Sequence, residues 1–336
     1  MTNPFPLSAL DEILRLDLPT PDPDAIAAAQ ARQGQLTKPP GSLGRLEDLA
    51  AFMAGWQGND RPRINRAQAL VFAGNHGVCA QGVNPFPQEV TALMVANFEG
   101  GGAAINQLCN LAGAELRVVP LDLDRPTADF TESPAMSEDE CLAALNTGAA
   151  AVDSTADIVI LGEMGIGNST VSAALAHGLF GSTPEAWVGP GTGSTEGGLA
   201  RKRAVVAKAV AQHRGAGPLQ LLAALGGREQ AALCGAVLAA RMARIPVLLD
   251  GYICTAAVTP LHVASANLLD HCLIGHRSAE PGHARLCARL DKKPLLDLGM
   301  ALGEGTGAAL ALSVLRGALA CHNDMATFAE AGIAGA

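Results

Sequence analysis

Residues Ile158-Val-Ile-Leu-Gly-Glu-Met-Gly-Ile-Gly-Asn-Ser-Thr170 decide the fold class. Four apolar residues, mostly β-branched, read as a short strand buried on both faces. A glycine-rich turn follows, and Asn168, Ser169 and Thr170 then open a helix that runs over 168–179. Similar apolar runs occur at 69–73, 116–119 and 246–249, and Ala186-Trp-Val188 reads as a further short strand. Between them lie helical stretches at 87–98, 103–112, 141–152, 199–213 and 230–241, with two or three more helices over 255–320. Short strands that alternate with helices predict an α/β fold. Its sheet is Rossmann-like, mostly parallel and flanked by helices. Residues 1–60 read as a smaller helical domain, with helices at 25–35 and 46–56 joined by Lys38-Pro-Pro-Gly-Ser-Leu-Gly-Arg45 and completed by C-terminal helices. Residues 61–320 form the α/β domain and 321–336 a tail.

Composition bounds what such a fold can do. The chain has 336 residues, 49% hydrophobic and 16% charged. Charged residues average about 25%, so the surface is lightly charged and the chain is not disordered. The net charge of −9 and an aromatic content of 3% exclude a broad nucleic-acid footprint and base stacking on exposed rings. Thirty-eight glycines are about 11% of the chain, against a usual share of about 7%. Two uncharged stretches, 164–184 and 251–269, carry too many Gly, Asn, Ser, Thr and His residues to span a membrane. Eight scattered cysteines without a Cys-x-x-Cys pair, and an acidic start, predict a reduced, cytoplasmic protein.

In an open parallel sheet, ligands bind beyond the carboxyl ends of the strands. Those ends carry Gly74-Asn-His76, Gly162-Glu-Met-Gly165, Gly189-Pro-Gly191 and Asp250-Gly251. The turn after Leu161 suits an anion: it offers backbone N–H groups, hydroxyls and the positive end of a helix. It is not a dinucleotide fingerprint, because Thr170 stands at the third glycine, and no lysine makes it a Walker loop. That counts against a dinucleotide oxidoreductase. A second loop, Gly189-Pro-Gly-Thr-Gly-Ser-Thr-Glu-Gly198, is followed by Lys202, one of five lysines, a pairing that suits phosphate or carboxylate. A third, Leu302-Gly-Glu-Gly-Thr-Gly-Ala308, places Glu304 alone in an apolar run. An isolated carboxylate in apolar surroundings has a raised pKa and suits a general base. Each pattern also has a plain reading, as a capped turn, a flexible loop or an exposed acid. Cys272, His276, His283 and Cys287 have zinc-ligand atoms but no familiar zinc spacing, so no metal is expected.

Taken in order, several stretches resemble one family, the nicotinate-nucleotide:5,6-dimethylbenzimidazole phosphoribosyltransferases of cobalamin synthesis. They include Lys38–Glu47, Gly74-Asn-His-Gly-Val78, Gly82-Val-Asn-Pro-Phe-Pro-Gln88, Gly101–Asn106, Pro134-Ala-Met-Ser137, Gly162–Thr170, Pro246–Gly251, Ser278-Ala-Glu280 and Leu302–Ala308. The resemblance runs over about 36–325 and makes 61–320 the phosphoribosyltransferase domain. It implies transfer of the phosphoribosyl group of nicotinate mononucleotide to a benzimidazole base, by a homodimer, without a cofactor. Glu304 would be the general base, with Glu163 near the ribose and Lys202 in the same site. Gly165, Gly167, Asn168, Ser169, Thr170, Gly191, Gly193, Gly303 and Gly305 would face the nucleotide. Asn75, His76 and Gln88 would belong to the base pocket, with Phe86, Met94, Met300 and Leu302 added for their proximity in sequence to the motifs. Two departures stand out: Asn75 replaces the family's usual Asp, and 121–133 lacks its usual Gly-Thr-Arg-Asn-Met stretch. They motivate a rival reading, a non-catalytic nicotinate mononucleotide sensor on the same fold.

Overall fold

The computed structural model describes residues 4–333 apart from 192 and 194. Five parallel strands form one sheet: β1 (Ala67–Ala73), β2 (Ala114–Pro120), β3 (Ile158–Met164), β4 (Val247–Leu249) and β5 (Cys272–Ile274). Their order is β2-β1-β3-β4-β5. Strand order therefore reverses between β1 and β3, and that reversal opens a crevice at their carboxyl ends. The strands are nearly all apolar because both faces are covered. Leu70, Phe72, Val159, Leu161, Val247 and Leu249 enter one core. The alternate residues Ala69, Val71, Ile158, Ile160 and Leu248 enter the other.

Thirteen helices surround the sheet among the described residues. Those before β3 are α1 (Pro23–Gln33), α2 (Arg45–Gln57), α3 (Glu89–Glu99), α4 (Ala104–Ala112) and α5 (Glu138–Ala151). Then come α6 (Asn168–Phe180), α7 (Glu196–Gln212), α8 (Pro218–Leu225), α9 (Arg228–Met242), α10 (Tyr252–Ala257), α11 (Thr259–Ala264), α12 (Pro281–Arg289) and α13 (Thr306–Asp324). Side-chain caps account for three of their starts, one being Thr195 on α7, whose hydroxyl accepts the Gly198 N–H. Asp22 accepts the N–H groups of Asp24 and Ala25, with Pro23 in the first turn of α1. Ser137 and Glu140 form a reciprocal capping box on α5. Helices α5 and α9 are packed backbone to backbone. At Gly148 and Gly235 any Cβ would overlap the opposing backbone, at Ala232 and Leu145 respectively.

At the chain's two ends, α2 packs on α13. Arg32 donates to the carbonyls of His322 (2.7 Å), Asn323 (3.1 Å) and Met325 (3.0 Å). These are orphan acceptors at the C-terminus of α13, which a cation satisfies well.

The parallel sheet flanked by helices is as the sequence predicts, but 255–320 holds parts of four helices, α10 to α13, rather than two or three, and α13 runs to Asp324, into the expected tail. Other local expectations also differ. Residues 186–188 are not a strand: Pro184–Ala186 is a short 3-10 turn, and the Trp187 indole N–H is anchored to the Gly181 carbonyl at 2.8 Å. Helix α8 and strand β5 were not predicted from the sequence; β5 extends the sheet by three residues. Among the described residues no helix is long and apolar enough to cross a membrane.

Candidate active site

The carboxyl ends of β3 and β4 form the floor of a cleft of about 790 Å³ with its open mouth. Glu163, near the end of β3, is buried beneath it, and the Asn168 side-chain amide donates to its carboxylate. Burial first, then Asp250, Glu229 and Glu304, push the Glu163 carboxyl well above the usual range, while the Glu304 backbone N–H opposes this. The turn to α6 passes through Gly167 at φ +95°, a conformation that favours glycine.

A cationic corner lies on the other side. Lys202 of α7 is buried, and its Nζ donates to Ser169 Oγ at 3.2 Å and to the Gly189 carbonyl at 3.5 Å. Burial lowers its pKa, and Glu280 offsets part of that. Glu280 accepts the Gly191 N–H at 2.7 Å. Burial raises its carboxyl, opposed by that N–H and by Lys202. Gly191 has φ +55°, and a Cβ there would sit 2.9 Å from Ser169 Oγ and 3.1 Å from Lys202 Nζ. Glycine suits this left-handed position and lets the loop lie close to the lysine.

The third element is the approach to α13. Gly303 (φ +85°), Glu304 (+64°) and Gly305 (+88°) are consecutive left-handed residues. A non-glycine residue held there costs on the order of 1–3 kcal/mol and persists only where the surroundings enforce it. Gly162 of β3 lies directly beneath: a Cβ on it would be 2.5 Å from Gly305 N and 2.6 Å from the Glu304 carbonyl group. Glu304 is 6% exposed. Burial, and then Asp250, raise its pKa to about 7. Asp250, just past β4, accepts the N–H groups of Gly305 at 3.1 Å and Ala308 at 2.9 Å, and its Oδ1 lies 3.6 Å from His276 Nε2.

The structure gathers many of the sequence-predicted residues on this cleft. Glu163, Gly165, Gly167, Asn168, Ser169, Gly191, Lys202, Leu302 and Gly303 line it. Glu304 is not itself among the lining residues; it directly follows Gly303, which is. Others lie elsewhere. Gly305 turns its N–H to Asp250, Thr170 is fully buried in α6, and Gly193 is on the exposed part of its loop. Thr192 and Ser194 of that loop are outside the described residues. Asn75 donates to the Leu123 carbonyl at 2.9 Å, and buried His76 sits 3.1 Å from Glu229 beneath the turn at Gly165. Gln88 donates to the His76 carbonyl at 2.5 Å. Phe86 is exposed, Met94 packs on the second core, and the Met300 carbonyl accepts the Ala279 N–H at 2.9 Å.

Several lining residues were not assigned from the sequence: Asn84, Asp250, Tyr252, His276, Ser278 and Glu280. The available signals were Asp250-Gly251 at a strand end and the Ser278-Ala-Glu280 stretch. Among the described residues no three His, Cys, Asp or Glu side chains are placed to hold a metal ion. In the Cys272–Cys287 set, His276 faces Asp250, while His283 faces Thr255 and the Ser278 N–H.

The cleft brings together three buried carboxylates, Glu163, Asp250 and Glu280, and one buried lysine, Lys202, with the Ser169 hydroxyl beside it. It suits a ligand with a cationic part and an anionic part. Comparison with known proteins agrees. A family profile described as Phosphoribosyltransferase matches residues 18–333. The nicotinate-nucleotide–dimethylbenzimidazole phosphoribosyltransferase of Rhodobacter capsulatus is 65% identical over 316 residues, 94% of this chain and 95% of that one. The Rhizobium meliloti protein of the same name is 55% identical over 98% of this chain and 97% of that one. A crystal structure of the Thermus thermophilus enzyme of that name superimposes with a TM-score of 0.86 at 41% identity, covering 94% of this chain and 100% of that one. The chain therefore belongs to the nicotinate-nucleotide–dimethylbenzimidazole phosphoribosyltransferase family.

Proposed function

We propose that the protein transfers the phosphoribosyl group of nicotinate mononucleotide to 5,6-dimethylbenzimidazole, with Glu304 as general base. The observation that carries this reading is the state of Glu304. It is a buried carboxylate with a pKa of about 7, held in a left-handed backbone next to Gly303, which lines the cleft. A base of that pKa accepts a proton readily near neutral pH.

The substrate, like the cleft, carries groups of both charges. We set its pyridinium and ribose against Glu163, and its phosphate against Lys202, Ser169 and the glycine turns. An unprotonated benzimidazole nitrogen attacks C1′ from the face opposite nicotinate. The glycosidic C–N bond breaks, its electron pair stays on the pyridine nitrogen, and nicotinate leaves as a neutral ring. Charge that develops on the ribose is stabilised by a neighbouring carboxylate, as in glycoside hydrolysis; we give this role to Glu163, whose raised carboxyl ionises when the cationic pyridinium and ribose come against it. The other benzimidazole nitrogen grows acidic as the bond forms, and its proton passes to Glu304. The products are α-ribazole 5′-phosphate, inverted at C1′, and nicotinate.

The test is nicotinate release, followed chromatographically. Release is expected only when the acceptor base is present. Release without it would mark a hydrolase and overturn the reading. Because Glu304 must be ionised in the free enzyme, kcat/KM is expected to rise about tenfold per pH unit below pH 7 and to level off above it. A flat profile across roughly pH 5.5–8 removes the assignment of Glu304.

We extend the proposal to a cytoplasmic homodimer. All eight cysteines are free, which supports a reducing compartment. Phe86, Leu93 and Leu302 are large and exposed, and burying such residues is what a second copy would achieve. A sedimenting mass near the 34.2 kDa of one chain would contradict the dimer.

A further inference from the structure

Helix α13 starts without a cap of its own. Its N-cap is Gly305, which has no side chain, yet the N–H groups of the first turn need acceptors. Asp250 supplies them from across the sheet. Its Oδ2 accepts the Gly305 N–H and its Oδ1 the Ala308 N–H. The carboxylate is 1% exposed and sits at the positive end of the helix. On its other side, His276 Nε2 lies 3.6 Å from Oδ1, and Gly307 abuts the His276 ring, leaving no room for a Cβ. Asp250 thus fixes both residue 305 and residue 308, immediately after a residue whose backbone is in a disfavoured region.

We propose that Asp250 is the positioning residue of the transfer reaction: by anchoring the start of α13 it holds the Glu304 carboxylate against the cleft. The inference rests on the reading of Glu304 as the base. Without the Asp250 anchor, Glu304 can relax towards an ordinary backbone conformation and its carboxylate leaves the acceptor. A second consequence is electrostatic. Glu304 is faced by Glu163 from β3 and Asp250 from β4. Asp250 is itself faced by His276 beyond β5, Cys254 of α10 and Glu163. The negative neighbour that raises Glu304 is Asp250. Neutralising it lets Glu304 ionise at lower pH.

The experiment is Asp250→Asn, with Glu304→Gln in parallel, both checked by circular dichroism and nicotinate mononucleotide binding. Asp250→Asn is expected to lower kcat at pH 8 by about tenfold to a hundredfold, as a misplaced catalytic group does, with KM for the nucleotide within about threefold. Its acid limb is expected to move to lower pH than that of the parent. An unchanged kcat, or a loss of kcat with the acid limb unmoved, overturns the inference. If Asp250→Asn does not fold, Gly305→Ala decides. It strains the same turn without changing charge, because Gly305 has φ +88° and a Cβ there meets its neighbours only at 3.3–3.6 Å. The expected result is lower kcat with the acid limb in place; parental kcat overturns the inference. Full activity in Glu304→Gln would instead defeat the base assignment itself, so the two failures are distinguishable.

Discussion

Glu304→Gln is expected to lower kcat by roughly 10²–10⁴-fold, the usual contribution of a positioned general base. Glutamine keeps the size and the backbone preference of glutamate, so the turn at 303–305 should persist. What is lost is the ability to take the benzimidazole proton. KM for nicotinate mononucleotide should change little, because the proposed reading sets the nucleotide's phosphate against Lys202 and Ser169 rather than Glu304. The acid limb of the pH profile should vanish along with the activity. A stability readout runs in the opposite direction. The ordinary glutamate pKa is 4.5 and the folded value is about 7. Ionising Glu304 is therefore harder in the folded state, and the parent loses stability as pH rises from about 4.5 to 7. Above pH 7 the full penalty remains. The glutamine variant escapes it, so its Tm should exceed the parent's at pH 8 by more than at pH 4. A variant that is both fully active and no more stable at pH 8 would show that this carboxylate is neither the base nor destabilised by burial.

Gly162→Ala should have the second largest effect, although it touches no substrate. A Cβ at this strand position would lie 2.5 Å from Gly305 N and 2.6 Å from the Glu304 carbonyl carbon and oxygen. These are backbone atoms, with no flexible side-chain end to move aside. Overpacking of this kind costs roughly 1–3 kcal/mol. The relief available is to lift the turn that carries Glu304, and about 1 Å of misplacement at a reacting group can cost about 10²-fold in rate. We expect kcat to fall on that order, with the sheet intact by circular dichroism. Gly317→Ala is the matching control on α13. Nothing lies within 4 Å of its Cβ position. Alanine there should leave activity unchanged and stabilise by about 1 kcal/mol through helix propensity. Equal activities for Gly162→Ala and Gly317→Ala would contradict the packing of Gly162 under the base.

The parts of this molecule that the sequence reveals are local. Strands β1 and β3 stand out because burial on both faces makes them continuous apolar runs. The turns around Gly165–Gly167 and Gly303–Gly305 stand out because Gly167, Gly303 and Gly305 have left-handed backbone, which favours glycine, and a Cβ on Gly165 would meet the Gly74 carbonyl at 2.6 Å. Glu304 is conspicuous as an acid among glycines and apolar residues. Strand β5 was missed because three residues, Cys-Leu-Ile, carry no period. The expected strand at 186–188 reflects Trp and Val propensity, which the anchored Trp187 indole overrides. Helix α8 did leave a signal, with Pro218 in its first turn and Gly226 after its end. Asp250 and Glu280 could not be assigned roles from local pattern. Their partners, Ala308 and Gly191, are 58 and 89 residues away in the chain. Only the sheet order brings them together.

The reaction itself is decided by incubating the purified protein with nicotinate mononucleotide and 5,6-dimethylbenzimidazole and identifying the product by mass and NMR. The expected product is α-ribazole 5′-phosphate, inverted at C1′, in one-to-one amount with nicotinate. Calorimetric binding of nicotinate mononucleotide by folded protein, with no product from this base or any of a panel of related bases, would contradict phosphoribosyl transfer and favour a sensor.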